Sequence, residues 1–339
     1  MFDSPLLVSG CILTGLTRAK QPIYLVENPQ AQIRRPDSHM LRDLRIDHSR
    51  ERLEPFAWLM PSMVLFLVFL LYPIVFSMTL SFFEWNGYSR EIFTNFVGLK
   101  NYIHLIRDPL VWKSFKNTVF LVITVVFVQN GIALFLAIVI FYGNFRYDSL
   151  IRAIIFFPGV VSAIVIGLVF RKFLAIDGAI NQILNRIGLS GIAQAWLSNT
   201  SLNIWIVSLV LVWQWAGYNL IIFYAGLQSI DYTLLEAAFI DGASLTRAIF
   251  TIVLPLLKPI IFLSAMLNFI GGFRIYDMIW VMTRGGPNHA SEVLTTYMYY
   301  QSFQSKGPSD MGYASAVAIL LAVIVLIFAI IRIRFVARD

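Results

Sequence analysis

Six long apolar stretches limit what this chain can fold into. They run at about 56–82, 117–142, 154–173, 202–228, 260–282 and 312–331. Each approaches or exceeds the roughly 20 residues that carry an α-helix across the hydrocarbon of a bilayer. Inside lipid every backbone N–H and C=O must be bonded within the protein, so a single-stranded or open-sheet crossing is excluded. Composition agrees, with 58% hydrophobic and only 13% charged residues, against about 25% charged in soluble domains. The expectation is an all-α polytopic membrane protein with six transmembrane helices, occupying residues 55–335.

The remaining segments add constraints. Residues 1–54 are dense in charge of both signs from Arg34 to Arg52 and poor in large apolar side chains, a composition that predicts disorder. A single cysteine, Cys11, excludes an internal disulfide. The net charge of +7 comes from basic residues scattered over loops and tails, with no basic stripe interleaved with aromatics, so nucleic acid is not an expected partner. Arginines cluster at both ends, Arg34, Arg35, Arg42, Arg45, Arg50 and Arg52 at one and Arg332, Arg334 and Arg338 at the other. An even number of crossings returns the chain to its starting side, and the charge bias favours the cytoplasm for both termini. Pro61 and Pro73 in the first stretch predict kinks.

Between the fourth and fifth stretches lies a polar interruption, residues 232–259, which holds Glu236, Asp241, Arg247 and Lys258. Asp241-Gly242 is a turn dipeptide, and glycine accepts the left-handed conformation that ends a helix. Ser244 can cap the helix that follows. Two short helices joined at Gly242 are therefore expected, with little bulk at Ala237, Ala238 and Ala243 to keep another backbone away.

The spacing Glu236-Ala237-Ala238, then Asp241-Gly242-Ala243, then Leu254-Pro255 resembles the EAA loop of binding-protein-dependent ABC importer permeases. Other segments carry the same resemblance: Phe96-Val97-Gly98-Leu99-x-Asn101-Tyr102, Phe115-x-Asn117-Thr118, and Thr283-x-Gly285-Gly286-Pro287. One position departs from it. The family usually has a proline after the isoleucine that precedes the loop, whereas here Ile230 is followed by Asp231. The resemblance spans roughly Pro55 to the C-terminus and implies a type I importer permease fold with cytoplasmic EAA coupling helices. It assigns ATPase coupling to Glu236, Ala237, Ala238, Asp241, Gly242, Ala243, Leu254 and Pro255. It also implies ABC ATPase subunits, a second permease chain, an extracytoplasmic solute-binding protein and a place in a bacterial or archaeal cell membrane. The sugar-transport branch is the closest in motif.

No chemistry of its own is legible in the chain. A phosphate-cradling loop is missing, since Gly285-Gly286-Pro287 lacks the lysine and hydroxyl it needs. His39, His48, His104 and His289 are too dispersed to suggest a metal site, and no cofactor is expected. ATP hydrolysis, if it drives the machine, belongs on another subunit. Polar groups within the apolar stretches are costly and therefore candidates for function. Arg274 and Asp277, three apart in the fifth stretch, either line a passage or form a structural ion pair on one helix face. Trp215, Tyr218 and Asn219 combine flat apolar faces with polar edges suited to sugars. Asn268 and Gly271 either contact solute or serve helix packing, as do Gln129 and Asn130. A sugar or oligosaccharide is the expected solute, with glycerol-phosphate or another polar anion as the alternative. An ion-coupled secondary transporter working without an ATPase is the rival mechanism, although neither internal repeats nor a row of carboxylates supports it.

Overall fold

A computed structural model describes residues 59–143, 145–304 and 310–336, so the predicted disorder over 1–54 lies outside the described residues. Val64–Asp339 forms one compact unit. The described residues are organised by helices: α1 (Leu59–Leu80), α3 (Pro109–Tyr142), α7 (Asn203–Gln228), α9 (Leu245–Phe273) and the apolar part of α12 (Met311–Val336) are each long and apolar enough to cross a membrane. A pair bent by 93°, α4 (Asp148–Val160) and α5 (Ala163–Phe173), passes the same test of length and composition when taken together, and makes a sixth crossing if it is one broken span. Short helices α2 (Lys100–Arg107), α6 (Ala179–Arg186), α8 (Tyr232–Ile240), α10 (Asp277–Met282) and α11 (Leu294–Phe303) lie in the connections.

The chain is arranged around α7. It is the most enclosed crossing, with 61% of its apolar window buried, whereas α1 is only 6% buried and presents its side chains outward. Leu220, Phe223 and Leu227 of α7 meet Ala133, Ala137 and Ile140 of α3 in one core cluster. Val207, Val210 and Leu211 meet Leu121, Ile166, Met278 and Ile279 in a second. The small alanines on α3 let the two backbones approach, which is how helices pack where no hydrophobic effect drives them together.

Three crossings contain a wide π-helical turn, at Leu67–Leu71, Thr124–Gln129 and Ile249–Val253. Two of these stand just before Pro73 and Pro255. A proline ring clashes with the carbonyl four residues back, and a widened turn at that point relieves the clash without ending the helix. The third precedes Asn130 and leaves the Val125 carbonyl to accept from the Asn268 amide of α9 at 3.3 Å.

Two crossings depart from the expectation. The third stretch is not one helix over 154–173 but α4 and α5, broken at Val161–Ser162, where Val161 is extended (φ −76°, ψ 138°). Pro158 weakens the hydrogen-bond ladder there, and the Gln214 side chain of α7 donates to the freed Val161 carbonyl at 3.1 Å. The fifth stretch begins earlier, at Leu245, and ends at Phe273 instead of running over 260–282. Gly271 and Gly272 weaken the helix end. Gly272 is wedged against α3, where an added Cβ would lie 2.9 Å from a Val122 methyl.

Three sequence motifs turn out to be fasteners between connections and crossings. Asn101 donates to the Ser81 and Phe83 carbonyls at 2.9 and 3.0 Å, closing the end of α1. Asn117 donates to the Ala290 and Glu292 carbonyls at 3.1 and 2.8 Å, while Thr118 accepts from the Leu294 N–H at 3.0 Å. Thr283 accepts from Ser291 Oγ at 2.7 Å, folding the Gly-Gly-Pro segment into a knuckle against them.

Asp108 is a further junction. It caps α3 by accepting from the Leu110 N–H at 2.8 Å, and it accepts the hydroxyls of Tyr297 on α11 and, at 2.7 Å, Tyr313 on α12. Burial alone would raise its carboxyl, but these hydrogen bonds outweigh burial and hold it below the ordinary aspartate range. A depressed folded value means that the junction stabilises fully above the unfolded value of about 4 and is lost as pH falls through the folded one. Asp108→Ala should cost about 1–3 kcal/mol, the penalty of stranding buried hydroxyls. It should also abolish that part of the acid-induced fall in thermal stability measured in detergent between about pH 5 and 2.

Candidate functional site

Both breaks in the crossings open onto one cavity of about 490 Å³. Ala163, just past the α4–α5 break, lines one wall, and Arg274, Ile275 and Tyr276, which separate α9 from α10, line another. The expected pathway residues Trp215, Tyr218, Asn219, Asn268, Gly271, Arg274 and Asp277 are all brought together around it.

Three of the lining helices, α3, α7 and α9, present side-chain amides or aromatic rings to the cavity, each for a local reason. On α7, Trp215 and Tyr218 are one turn apart and project rings that meet edge to face at 6.4 Å and 84°. They are 40% and 45% exposed. Asn219 beside them is 1% exposed, and neither its amide nitrogen nor its oxygen has a partner within the protein. A buried amide without partners costs about 1–3 kcal/mol, so a group entering the cavity has a ready site to bond. Across from it, Gln129 of α3 donates to Asn268 of α9 at 3.4 Å. Asn268 therefore serves the packing of α3 against α9 while also facing the cavity.

The ion pair considered for Arg274 and Asp277 does not form. Arg274 is the C-cap of α9 and Asp277 the first residue of α10, so the three-residue spacing does not put them on one helix face. Both are exposed at the cavity. Gly271 faces open space, with nothing within 4 Å of an added Cβ. Tyr276, not singled out from the sequence, also lines the cavity and stacks on Trp280 at 5.7 Å. The aromatic run Tyr276, Trp280, Tyr299 was its only signal.

The second candidate element is the polar loop after α7. Asp231 caps α8 by accepting from the Thr233 N–H at 3.0 Å, and this bond holds the carboxyl below its ordinary range. The aspartate thus fixes the start of α8 where a proline would otherwise set the chain direction. At its other end α8 closes with Gly242 at φ 81°. Ala243 N–H donates back to the Ala238 carbonyl at 2.9 Å and Gly242 N–H to the Phe239 carbonyl at 3.0 Å, a glycine-terminated helix end that a side chain at Gly242 would strain. Ser244 then accepts from the Arg247 N–H at 3.3 Å to begin α9.

This loop is anchored by one face only. Leu235 and Ala248 are buried in the same cluster as Phe223 and Tyr224 of α7. Glu236, Ala237, Asp241 and Gly242 are exposed, Ala238 and Ala243 half-buried. Leu254 is half-buried and Pro255 exposed, within α9. Ile240 projects at 85% exposure, with Phe239 and Leu245 beside it at 38% and 42%. Among the described residues no cluster of three or more His, Cys, Asp or Glu could hold a metal ion.

Comparison with known proteins identifies the family and the fold. Residues 129–338 match the family described as "Binding-protein-dependent transport system inner membrane component". A probable ABC transporter permease protein of Bacillus subtilis, YurN, is 33% identical over 289 residues, which cover 85% of this chain and 97% of that protein. The lactose transport system permease protein LacF of Rhizobium radiobacter is 30% identical, covering 84% and 94%. The arabinooligosaccharides transport system permease protein AraP of Bacillus subtilis is 31% identical, covering 83% and 87%. The fold is shared with a chain of a bacterial ABC transporter involved in the import of the acidic polysaccharide alginate. The TM-score is 0.74 at 22% identity, covering 88% of this chain and 99% of that one. The chain therefore belongs to the family of binding-protein-dependent transport system inner membrane components.

Proposed function

We propose that this chain forms one half of the passage through which an ABC importer carries a neutral sugar or oligosaccharide, with ATP hydrolysed on separate subunits. The cavity carries this reading. It combines paired aromatic faces, an unpartnered buried amide and two further side-chain amides, the set of groups that meets C–H faces and hydroxyls together. Arg274 alone would favour an anion, but Asp277 lines the same cavity and offsets its charge, so a neutral solute is preferred to a polar anion. Relatives named for lactose and arabinooligosaccharide transport fit that preference.

The loop α8 to α9 is the docking element for the ATPase, with Glu236 as the polar contact, Gly242 as the pivot and Ile240 as the exposed apolar knob. That places this loop and both termini in the cytoplasm. A second permease chain completes the passage, and a solute-binding protein delivers from the opposite face. Docking energy from the ATPase moves α8, and transport follows only because the ATPase binds the alternative states of the bundle with different affinity.

Two measurements test this. Co-purification with the partner ATPase should fall strongly for Glu236→Lys and Gly242→Pro; full capture by both variants would refute the docking role. In proteoliposomes supplied with ATP, companion permease and binding protein, labelled lactose and arabinooligosaccharides are the first probes. Asn219→Leu should lower uptake of the transported one about tenfold at subsaturating solute, roughly the worth of one hydrogen bond. Uptake at full rate by this chain without any ATPase would establish an ion-coupled carrier instead.

A further inference from the structure

Helices α4 and α7 are joined at three heights. At the end shared with the α8 loop, Asp148 accepts from the Tyr224 hydroxyl at 3.0 Å and from Arg152 Nη2 at 3.2 Å. The Arg152 guanidinium lies 4.0 Å from the centre of the Tyr224 ring, closing a triangle of charge, hydroxyl and aromatic face. Further along, Gly217 brings the two backbones together, since a Cβ there would fall 2.1 Å from the Ile155 carbonyl oxygen. At the far end Gln214 holds the Val161 carbonyl at the break.

The position of this triangle makes it more than a packing detail. With the bent pair α4–α5 counted as one span, two crossings separate the 143–152 connection from the α8 loop and set both on the same side of the membrane. Tyr224 is buried in the cluster that holds Leu235 of α8 and Ala248 of α9. At its other end α4 stops at the break just before Ala163, the α5 residue that lines the cavity, and the middle of α7 supplies Trp215, Tyr218 and Asn219 to the same cavity. A charge-assisted hydrogen bond is directional, whereas aliphatic contacts can slide.

We propose that α4 and α7 act as a single rigid lever running from the coupling loop to the cavity, and that Asp148, Arg152 and Tyr224 are the positioning residues that lock its driven end. The inference rests on the importer reading above. With the lock closed, displacement of α8 moves both cavity walls together. With it open, α7 shifts alone and the α4–α5 break stays where it was, so the motor turns without closing the passage.

The test uses the assembled complex of this chain with its companion permease and ATPases in lipid nanodiscs. Cys11→Ser removes the native thiol, and Gly271→Cys places a reporter where an added side chain meets open space. The reporter's rate of modification by a charged methanethiosulfonate reagent is compared without nucleotide and after trapping with ATP and vanadate. With the lock intact the rate should change at least about fivefold, the lower end of a working coupling between sites. Arg152→Gln and Tyr224→Phe should erase most of that change while trapping of ADP with vanadate persists, and Arg152→Lys, which keeps the charge over the ring, should restore it. An unaltered change in both Arg152→Gln and Tyr224→Phe overturns the lever. So does parallel loss of trapping and accessibility change in all three variants, the mark of a merely structural role. Should Arg152→Gln fail to assemble, Tyr224→Phe, which removes a single hydroxyl, decides the matter. Absence of any nucleotide-dependent change with the lock intact overturns the importer reading, and the lever with it.

Discussion

A backbone in lipid has nowhere to send its unpaired N–H and C=O groups, and this obligation governs the whole structure. Irregular backbone at membrane depth survives only where the protein itself supplies the missing bonds. At Val161 a glutamine from α7 does so. At Val125, released by a π-helical turn, an asparagine from α9 does so. The interruption between α9 and α10 borders the cavity instead. Polar side chains that would otherwise be liabilities inside a bilayer are therefore spent mostly on restoring backbone bonds. Asn219, whose amide is left without one, stands out against that background.

The same obligation explains what could be read in advance and what could not. Apolar length located the crossings approximately, and the Asp241-Gly242 dipeptide with Ser244 defined the turn of the loop, although the helix that follows is the long α9 and not the second short helix expected. These features depend on local chemistry. The breaks did not follow from the sequence, because Pro158 and Gly271-Gly272 are also compatible with continuous membrane helices. What decides is tertiary: Gln214 stands ready beside Val161, and Gly272 is pressed onto Val122. The second break separates Arg274 from Asp277: their spacing of three suits one helix face, but the chain turns between them. The cavity residues were legible one by one as costly polar groups, but their convergence required the bends.

The loop from α8 to α9 shows how the same geometry can be set through different physics. A proline after Ile230 would steer the chain by restricting φ. Asp231 steers it by binding the first free N–H of α8. Both solutions fix the start of a helix whose outer face is open and whose inner face is seated against α7 through Leu235. A motion applied to the open face has one stiff route inward.

The paired glycines at the end of α9 divide two duties between adjacent positions. Gly272 is jammed against α3 and admits no side chain without moving a helix, whereas Gly271 looks into empty space at the cavity wall. Side chains of increasing size at the second position would shrink the chamber step by step and leave the scaffold unmoved. The volume of the cavity is thus an evolvable parameter that can be adjusted one residue at a time at Gly271, independently of the packing at Gly272.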